Sequence, residues 1–291
     1  MPELGRYIYC IIEAKEPKSF GPYGIAEYPQ DLPQLPELYT VNDRNLAVVM
    51  SQSPVIEYPV TREYSMIHQR AIEAVMKEHA VLPVRFSTIA DTEEQIIAQV
   101  LKPRYEEFKE LLAWIADKQE LSVKAHWLDM EAIFQEIAQE SEALKTMKAE
   151  LAGKNPDAAY YDFIEAGKIV EQRLAKKREA DQQKLLAALQ PLAVDHRINR
   201  VYGETMVANL AFLVEKTKEE EFHQAVSGFQ EELTGRMKLK YIADAPPFNF
   251  VTIVIHLKRI EHPESQGGAE QMDTSLATQD PLTPTNQHVS P

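Results

Sequence analysis

Histidine can serve as a metal ligand or as an acid–base group, but the spacing of the histidines in this sequence argues against a shared metal site. Eight occur, at positions 68, 79, 126, 196, 223, 256, 262 and 288. No two stand three or four residues apart, the spacing that puts two metal ligands on one helix face, and no thiol cluster accompanies them. The acidic run Glu219–Glu221 beside His223 resembles a ligand group. A solvated helix N-terminus explains it better, because the helix dipole favours acidic residues there.

Nucleophile and phosphate-binding motifs are also missing. Ser87 follows a predicted strand, but no glycine flanks it as a nucleophile elbow requires. The run Gly21–Gly24 is typical of a loop turn and lacks the spacing of a phosphate loop. Cys10 is the single cysteine, and its apolar neighbours indicate a buried, inert thiol. The sequence therefore predicts no catalytic, cofactor-binding or metal-binding residue.

The composition is that of an acidic globular protein. The 291 residues include 45 acidic and 31 basic side chains, which gives a net charge of -14. Such a surface repels phosphate groups, so nucleic acid and lipid membranes are not expected partners. No apolar run reaches the ~20 residues of a membrane span, and the N-terminus has no signal-peptide pattern. With one cysteine, these features predict a soluble protein in the reducing cytoplasm.

Strand and helix patterns alternate through the first half of the chain. Arg6–Glu13 is apolar without alternation, which is typical of a central strand. Leu38–Val41 and Leu46–Met50 flank turn-forming residues and predict a hairpin. Thr61 is a candidate N-cap, and Pro103 should kink or split a later helix. These elements predict an α+β sandwich with one covered sheet face.

Three further stretches carry specific expectations. Ala14–Glu37 contains five prolines and predicts a long loop. Asp91 and Glu94 resemble a capping box. Val81–Ile89 alternates like a strand, and a proline within it predicts a strand start or a sheet edge, since proline has no N–H. Arg85 should leave that strand on the face opposite its apolar neighbours, and we expect it to pair with a carboxylate.

The second half predicts long helices followed by another mixed module. The predicted helices and strands after the first sheet are Glu120–Trp127 (strand), Asp129–Leu151 and Pro156–Leu189 (helices), Met206–Val214 (strand), Phe222–Leu233 (helix), Lys238–Tyr241 and Phe248–Leu257 (strands). From Arg259 onward few large apolar residues remain, which predicts a disordered tail. We therefore divide the chain into an N-terminal domain (1–152), a helical linker with a C-terminal α+β domain (153–258), and a tail (259–291).

Several short runs carry a family resemblance, in the same order along the chain. They are Arg6–Ile12, Phe20–Ile25, Val81–Phe86, Glu120–Lys124, Asp157–Tyr160 and Pro246–Val251. Together they resemble the gas vesicle protein F/L family, and the F branch is favoured over the L branch. The most characteristic positions, structural or interfacial, are Leu82, Pro83, Val84, Arg85, Phe86, Pro246, Pro247, Phe248, Asn249 and Phe250. Ser87 and Asp244 stand where the family often has glycine.

The resemblance implies a non-enzymatic accessory or minor structural protein of gas vesicles, the gas-filled, protein-walled compartments of buoyant microbes. It implies two domains, an N-terminal ferredoxin-like sandwich and a second, modified ferredoxin-like module, without a cofactor. It also implies binding to the main shell protein, gas vesicle protein A, and a location at the vesicle wall, with other accessory proteins as further candidate partners. Three alternatives stay open: a stable wall component, a transient chaperone absent from the mature wall, and an enzyme with an unfamiliar site.

Overall fold

Strand β1 (Leu4–Glu13) is buried on both faces in the computed structural model, which describes residues 3–29, 34–151 and 160–258. Ile8 and Ile11 belong to one core cluster, whereas Tyr7 and Tyr9 belong to another. A strand covered on both faces requires a continuous apolar run, so the prediction of a central strand is confirmed. The expectation of a single covered face is wrong, because helices and loops pack against both sides of β1.

The first sheet places β1 between its hairpin neighbour and a short edge strand. Its order is β2–β3–β4–β1–β5, its paired strands are antiparallel, and β6 also pairs with β1. The bounds are β2 (Ser19–Gly21), β3 (Leu38–Asp43), β4 (Leu46–Pro54), β5 (Leu82–Pro83) and β6 (Ile89–Ala90). The predicted hairpin is confirmed as β3 and β4. The stretch predicted as one long loop contains β2, which pairs with β3.

A polar capping residue and a proline mark the ends of helices in the first half of the chain. Helix α1 (Arg62–Met76) is capped by Thr61, whose Oγ1 accepts from the Tyr64 N–H at 3.3 Å, as predicted. Helix α2 (Glu93–Ile96) continues as a π-helix (Ile97–Leu101), and α3 (Tyr105–Ile115) begins after Pro103. The predicted split at this proline is confirmed.

The predicted capping box at Asp91 and Glu94 is wrong by one position. Thr92 is the N-cap of α2, and its Oγ1 accepts from the Gln95 N–H at 3.2 Å. The Gln95 side chain in turn accepts from the Asp91 N–H at 2.8 Å. Thr92 and Gln95 are therefore the reciprocal pair that was expected of Asp91 and Glu94.

The second sheet takes its strands from both sides of the long helices. Its order is β10–β7–β9–β8, with all neighbours antiparallel. The bounds are β7 (Lys118–Trp127), β8 (Asp195–Ile198), β9 (Met206–Glu215) and β10 (Met237–Ala245). When the three helices between β7 and β8 are counted as one helical segment, strands and helices follow one another as β–α–β–β–α–β, the succession of ferredoxin-like motifs. The ferredoxin-like description of the two modules stays a prediction.

Helices cover one face of this sheet. They are α4 (Met130–Glu140), α5 (Glu142–Leu151), α6 (Tyr160–Leu189) and α7 (Glu219–Glu232). Helix α6 buries Leu185, Leu186 and Leu189, whereas its first turn is exposed. The Trp127 Nε1 of β7 donates to the buried carboxylate of Asp181 at 3.0 Å, which fixes α6 on the sheet.

Two predicted domain boundaries fall on residues that the structure does not describe, whereas one predicted strand is contradicted by the structure. The division between residues 152 and 153 and the tail at 259–291 lie outside the described residues and stay predictions. Strand β7 precedes that division in sequence and is a central strand of the second sheet. The strand predicted over Phe248–Leu257 is wrong: the chain makes a turn at 248–250 and then a single bridge, Val84 to Ile253.

Candidate functional site

The two most characteristic sequence runs, Leu82–Phe86 and Pro246–Phe250, come together in the fold. We call the region that contains both runs the motif junction. Val84 and the residues after the second run form a parallel bridge at Ile253. Residues some 160 positions apart in sequence, by their numbering, therefore share one place in the structure.

Backbone hydrogen bonds hold the first run between β1 and the C-terminal segment. The Val84 N–H donates to the Tyr9 carbonyl at 2.8 Å. On the other side, the Ile253 N–H donates to the Pro83 carbonyl at 2.7 Å, and the Arg85 N–H donates to the Ile253 carbonyl at 3.0 Å. Strand β5 is the last strand in the order of the first sheet, so the expected edge position of Pro83 is confirmed.

Arg85 does not have the ion pair that we expected. Its side chain is exposed, and no carboxylate among the described residues lies within salt-bridge distance of it. The exposed position explains the difference, since a solvated guanidinium needs no buried partner. The contacts of Arg85 in the junction are made by its backbone, whose carbonyl also accepts from the Thr88 hydroxyl at 2.6 Å.

Ser87 and Asp244, which replace expected glycines, both adopt left-handed backbone conformations. Their φ angles are 61° and 58°. Only glycine enters this region without a steric cost, which accounts for the glycines that the resemblance leads one to expect. Ser87 is held by its neighbours: its N–H donates to Tyr7 Oη at 2.8 Å, and its Oγ accepts from the Tyr58 N–H at 3.2 Å.

His68, on helix α1, is the centre of an aromatic cluster under the junction. The ring is 3% exposed. Its centroid lies 5.6 Å from Phe86 of the first run and 6.2 Å from Phe248 of the second. Tyr7 and Tyr9 of β1 complete the cluster at 5.7 and 5.6 Å. The imidazole therefore contacts the central strand and both motif runs.

The surroundings of His68 define its charge. Tyr7 Oη accepts from the Ser87 N–H and lies 3.1 Å from His68 Nδ1, a distance at which the phenol and the imidazole form a hydrogen bond in either tautomer. Burial lowers the pKa of His68 to about 4, and the Val84 carbonyl opposes this only in part. At neutral pH the ring is uncharged. Nε2 makes no hydrogen bond of ordinary geometry to the described residues.

Glu120, on the face of β7 opposite Leu121 and Val123, anchors the second run. Asn249 donates to its carboxylate twice, from the backbone N–H at 2.9 Å and from Nδ2 at 2.6 Å. The Glu120 side chain is 3% exposed. Burial raises the pKa of this carboxyl to about 7, and the two Asn249 hydrogen bonds oppose that increase.

A cavity of about 580 Å³ opens beside this anchor. Its walls include Glu120, Asp244 and Pro247 on one side and Met76 and His79 on the other. The lining contains acidic, basic and apolar side chains. Glu120 bonds to Asn249 and Lys216 to the Ala116 carbonyl, so these two titratable groups are not paired with each other as a nucleophile and a base would be.

The single cysteine is not accessible for reaction. The Cys10 thiol is fully buried, and burial raises its pKa far above the ordinary value. Within residues 3–29, 34–151 and 160–258, no three histidine, cysteine or acidic side chains cluster as metal ligands would. Over the same ranges no helix is both long and apolar enough to cross a membrane.

The sequence indicated the two runs but not the residues that join them. His68 lies on the apolar stripe of α1 with Ile72 and Val75, and this position was a usable signal for a buried histidine. Glu120 begins a strand whose alternation was recognised, but nothing local distinguishes it from a solvated glutamate. Its partner Asn249 is 129 residues away.

Comparisons with known proteins agree on one family. A family model described as gas vesicle synthesis protein GvpL/GvpF matches residues 5–252. Gas vesicle protein F of Dolichospermum flosaquae is 24% identical over 241 residues, covering 79% of this chain and 96% of that protein. Gas vesicle protein F of a Streptomyces species is 28% identical over 251 residues, covering 85% of this chain and 100% of that protein.

Two solved structures share the fold. The crystal structure of GvpF from Anabaena sp. PCC7120 superposes with a TM-score of 0.71 at 24% identity, over 86% of this chain and 98% of that one. The crystal structure of GvpF from Microcystis aeruginosa gives 0.66 at 23% identity, over 84% and 98%. At these identities the likeness establishes the α+β fold with its two antiparallel sheets.

Proposed function

The chain belongs to the GvpL/GvpF family of gas vesicle synthesis proteins, and from this premise we propose that it binds the main shell protein, gas vesicle protein A, and assists wall nucleation and assembly. The observation that carries the proposal is the family match, which extends over residues 5–252 and so over both sheets. A role connected with gas vesicles follows from that membership. The specific partner and the assembly step are the proposal.

The charge of the molecule supports this role. A net charge of -14 keeps a protein soluble and resists self-association. A partner with a large apolar surface aggregates unless that surface is covered. An acidic accessory protein that covers it would keep the shell subunit in solution until it joins the wall. We also propose a non-enzymatic mechanism, since the titratable groups of the motif junction serve packing.

We propose that the motif junction is a structural anchor and not the shell-binding surface. The side chains of Pro246, Pro247 and Val84 are buried, and Phe86 and Phe248 pack against His68. Arg85 alone in the first run presents an exposed side chain. A partner would therefore meet few of the ten motif residues.

A binding and deletion experiment tests the main proposal. The purified chain should retain tagged shell protein in a pull-down, and a host strain that lacks this chain should form fewer vesicles or none. An unrelated acidic protein of similar size and net charge is the control for non-specific retention. Normal vesicles in the deletion strain, together with no retention, would refute the proposal.

A second experiment separates a wall component from a transient chaperone. We propose association with the wall, and immunodetection on intact vesicles after high-salt washing should then find the chain. Loss of the chain during washing, with the shell protein retained, would instead favour the chaperone.

A further inference from the structure

Strand β10 is an open edge of the second sheet, at one end of the order β10–β7–β9–β8. Beside this edge, helix α7 borders a groove of about 330 Å³. The groove is lined from α7 by His223, Val226, Ser227 and Gln230 and from β10 by Leu239 and Tyr241. The α7 residues share one helix face, and the β10 residues are alternate positions of one strand face, so the groove follows the strand.

Gln230 already pairs with part of this edge as a neighbouring strand would. Its Nε2 donates to the Met237 carbonyl at 3.2 Å, and its Oε1 accepts from the Leu239 N–H at 2.6 Å. The Leu239 N–H therefore points away from β7. Because backbone groups alternate with a period of two, the N–H and C=O of Tyr241 also point outward. The edge beyond Gln230 offers the hydrogen-bonding pattern of an unpaired strand.

Tyr241 adds an unsatisfied group inside the groove. Its Oη is buried and has no hydrogen-bond partner among the described residues. Burial, followed by the nearby carboxylates of Glu219, Asp244 and Glu220, raises the pKa of Tyr241 to about 12. The phenol therefore keeps its proton and can donate a hydrogen bond. A buried hydroxyl without a partner costs free energy that an acceptor on a bound segment would recover.

We propose that this groove, which we call the β10 groove, binds an extended segment of another protein as an added strand. The segment would pair with the outward backbone of Tyr241 and place alternate apolar side chains between α7 and β10. The carboxylates of Glu219, Glu220 and Asp244 at the Tyr241 end select a segment with a lysine or arginine there. This inference goes beyond the proposed function and does not require the shell protein as the partner.

A second copy of this chain fits the groove less well. The volume of about 330 Å³ is at the lower end of the roughly 300–1,000 Å³ of protein ligand sites. A second β10 would bring its own α7 to the same edge, whereas an extended segment brings no helix. The acidic groups of two copies would also add to one already acidic surface.

Peptide binding to the full chain tests the proposal. The probes are labelled, end-blocked eight-residue peptides that alternate valine and threonine and carry either one lysine or one glutamate at one end. Fluorescence anisotropy should show saturable binding of the lysine peptide and at least fivefold weaker binding of the glutamate peptide. Hydrogen exchange of the β10 amides, read by mass spectrometry, should slow when the lysine peptide binds.

Two variants of α7 test whether the peptide binds in the groove. Ser227→Trp fills the groove from an exposed position and should weaken binding at least tenfold. Gly228→Trp adds the same ring on an exposed position outside the groove lining, with open space at its Cβ, and should leave binding unchanged. Equal binding by wild type and Ser227→Trp, unchanged exchange in β10, or no binding up to millimolar peptide would each overturn the proposal. Dimerisation in sedimentation that Ser227→Trp abolishes would overturn it in favour of a second copy.

Discussion

Replacing Glu120 by glutamine should change how the stability of the protein depends on pH, and in a direction opposite to that of a surface carboxylate. The pKa of Glu120 is raised from 4.5 to about 7 because the carboxyl is buried. The folded state therefore holds its proton more tightly than the unfolded state does. Its contribution to stability is complete below pH 4.5 and is lost as the pH rises through about 7. The two pKa values correspond to about 3 kcal/mol.

His68 acts in the opposite direction over almost the same range. Burial lowers its pKa from 6.5 to about 4, so the folded state binds a proton less readily than the unfolded state. The contribution of His68 is complete above pH 6.5 and is lost as the pH falls through about 4. It too amounts to about 3 kcal/mol. Between pH 4.5 and 6.5 these two effects nearly cancel in the wild-type protein.

Urea unfolding at a series of pH values would separate the two groups. In Glu120→Gln the cancellation is removed, and the free energy of unfolding should rise by about 2 kcal/mol from pH 4.5 to 6.5, relative to wild type. Glu107→Gln is the matched control, because a hydrogen bond from Arg104 lowers the pKa of that exposed carboxylate. Its difference from wild type should be below about 1 kcal/mol and opposite in sign. A Glu120→Gln profile parallel to wild type would refute the assigned burial of the charge.

Four further substitutions test separate parts of the fold. Arg85→Ala should change the free energy of unfolding by less than about 0.5 kcal/mol in urea, because its side chain is exposed; a larger loss would reveal a buried partner. Gly235→Ala should lower the free energy of unfolding by about 1 kcal/mol, because the φ of Gly235 is 83°. Gly228→Ala should raise it by about 1 kcal/mol in thermal or urea unfolding, because Gly228 lies inside α7 with open space at its Cβ. Leu185→Ala should cost about 2–5 kcal/mol in the same assay because Leu185 is fully buried, and Tyr161→Ala at an 80% exposed position is its control.

The elements with strong local patterns were predictable from the sequence. The continuous apolar run of β1 follows from burial on two faces, and the strict alternation in β7 follows from burial on one. The Thr61 cap and the break at Pro103 follow from backbone chemistry that needs no tertiary contact. The fold class could be inferred from these signals alone.

The errors have a common physical cause, which is a dependence on distant partners. Phe248–Leu257 has the apolar content of a strand, but the Val251 N–H bonds back to the Pro247 carbonyl at 2.8 Å and turns the chain. Among the described residues beyond this turn, Ile253 alone makes backbone hydrogen bonds with the first run, to Pro83 and Arg85. Strand β8 has four residues, half of them exposed, and only its pairing with β9 defines it. No local pattern specifies which strand edge accepts such a segment.

The motif junction explains why runs so far apart in sequence are both characteristic of the chain. After leaving β10 of the second sheet, the chain binds Glu120 of β7 through Asn249 and packs Phe248 against His68 of α1. It then pairs with β5 of the first sheet through Ile253. The Asn249 contact therefore holds this segment on the second sheet, and the contacts of Phe248 and Ile253 hold it on the first. Substitution in either run would therefore weaken the attachment between the sheets before it disturbed the pairing within them.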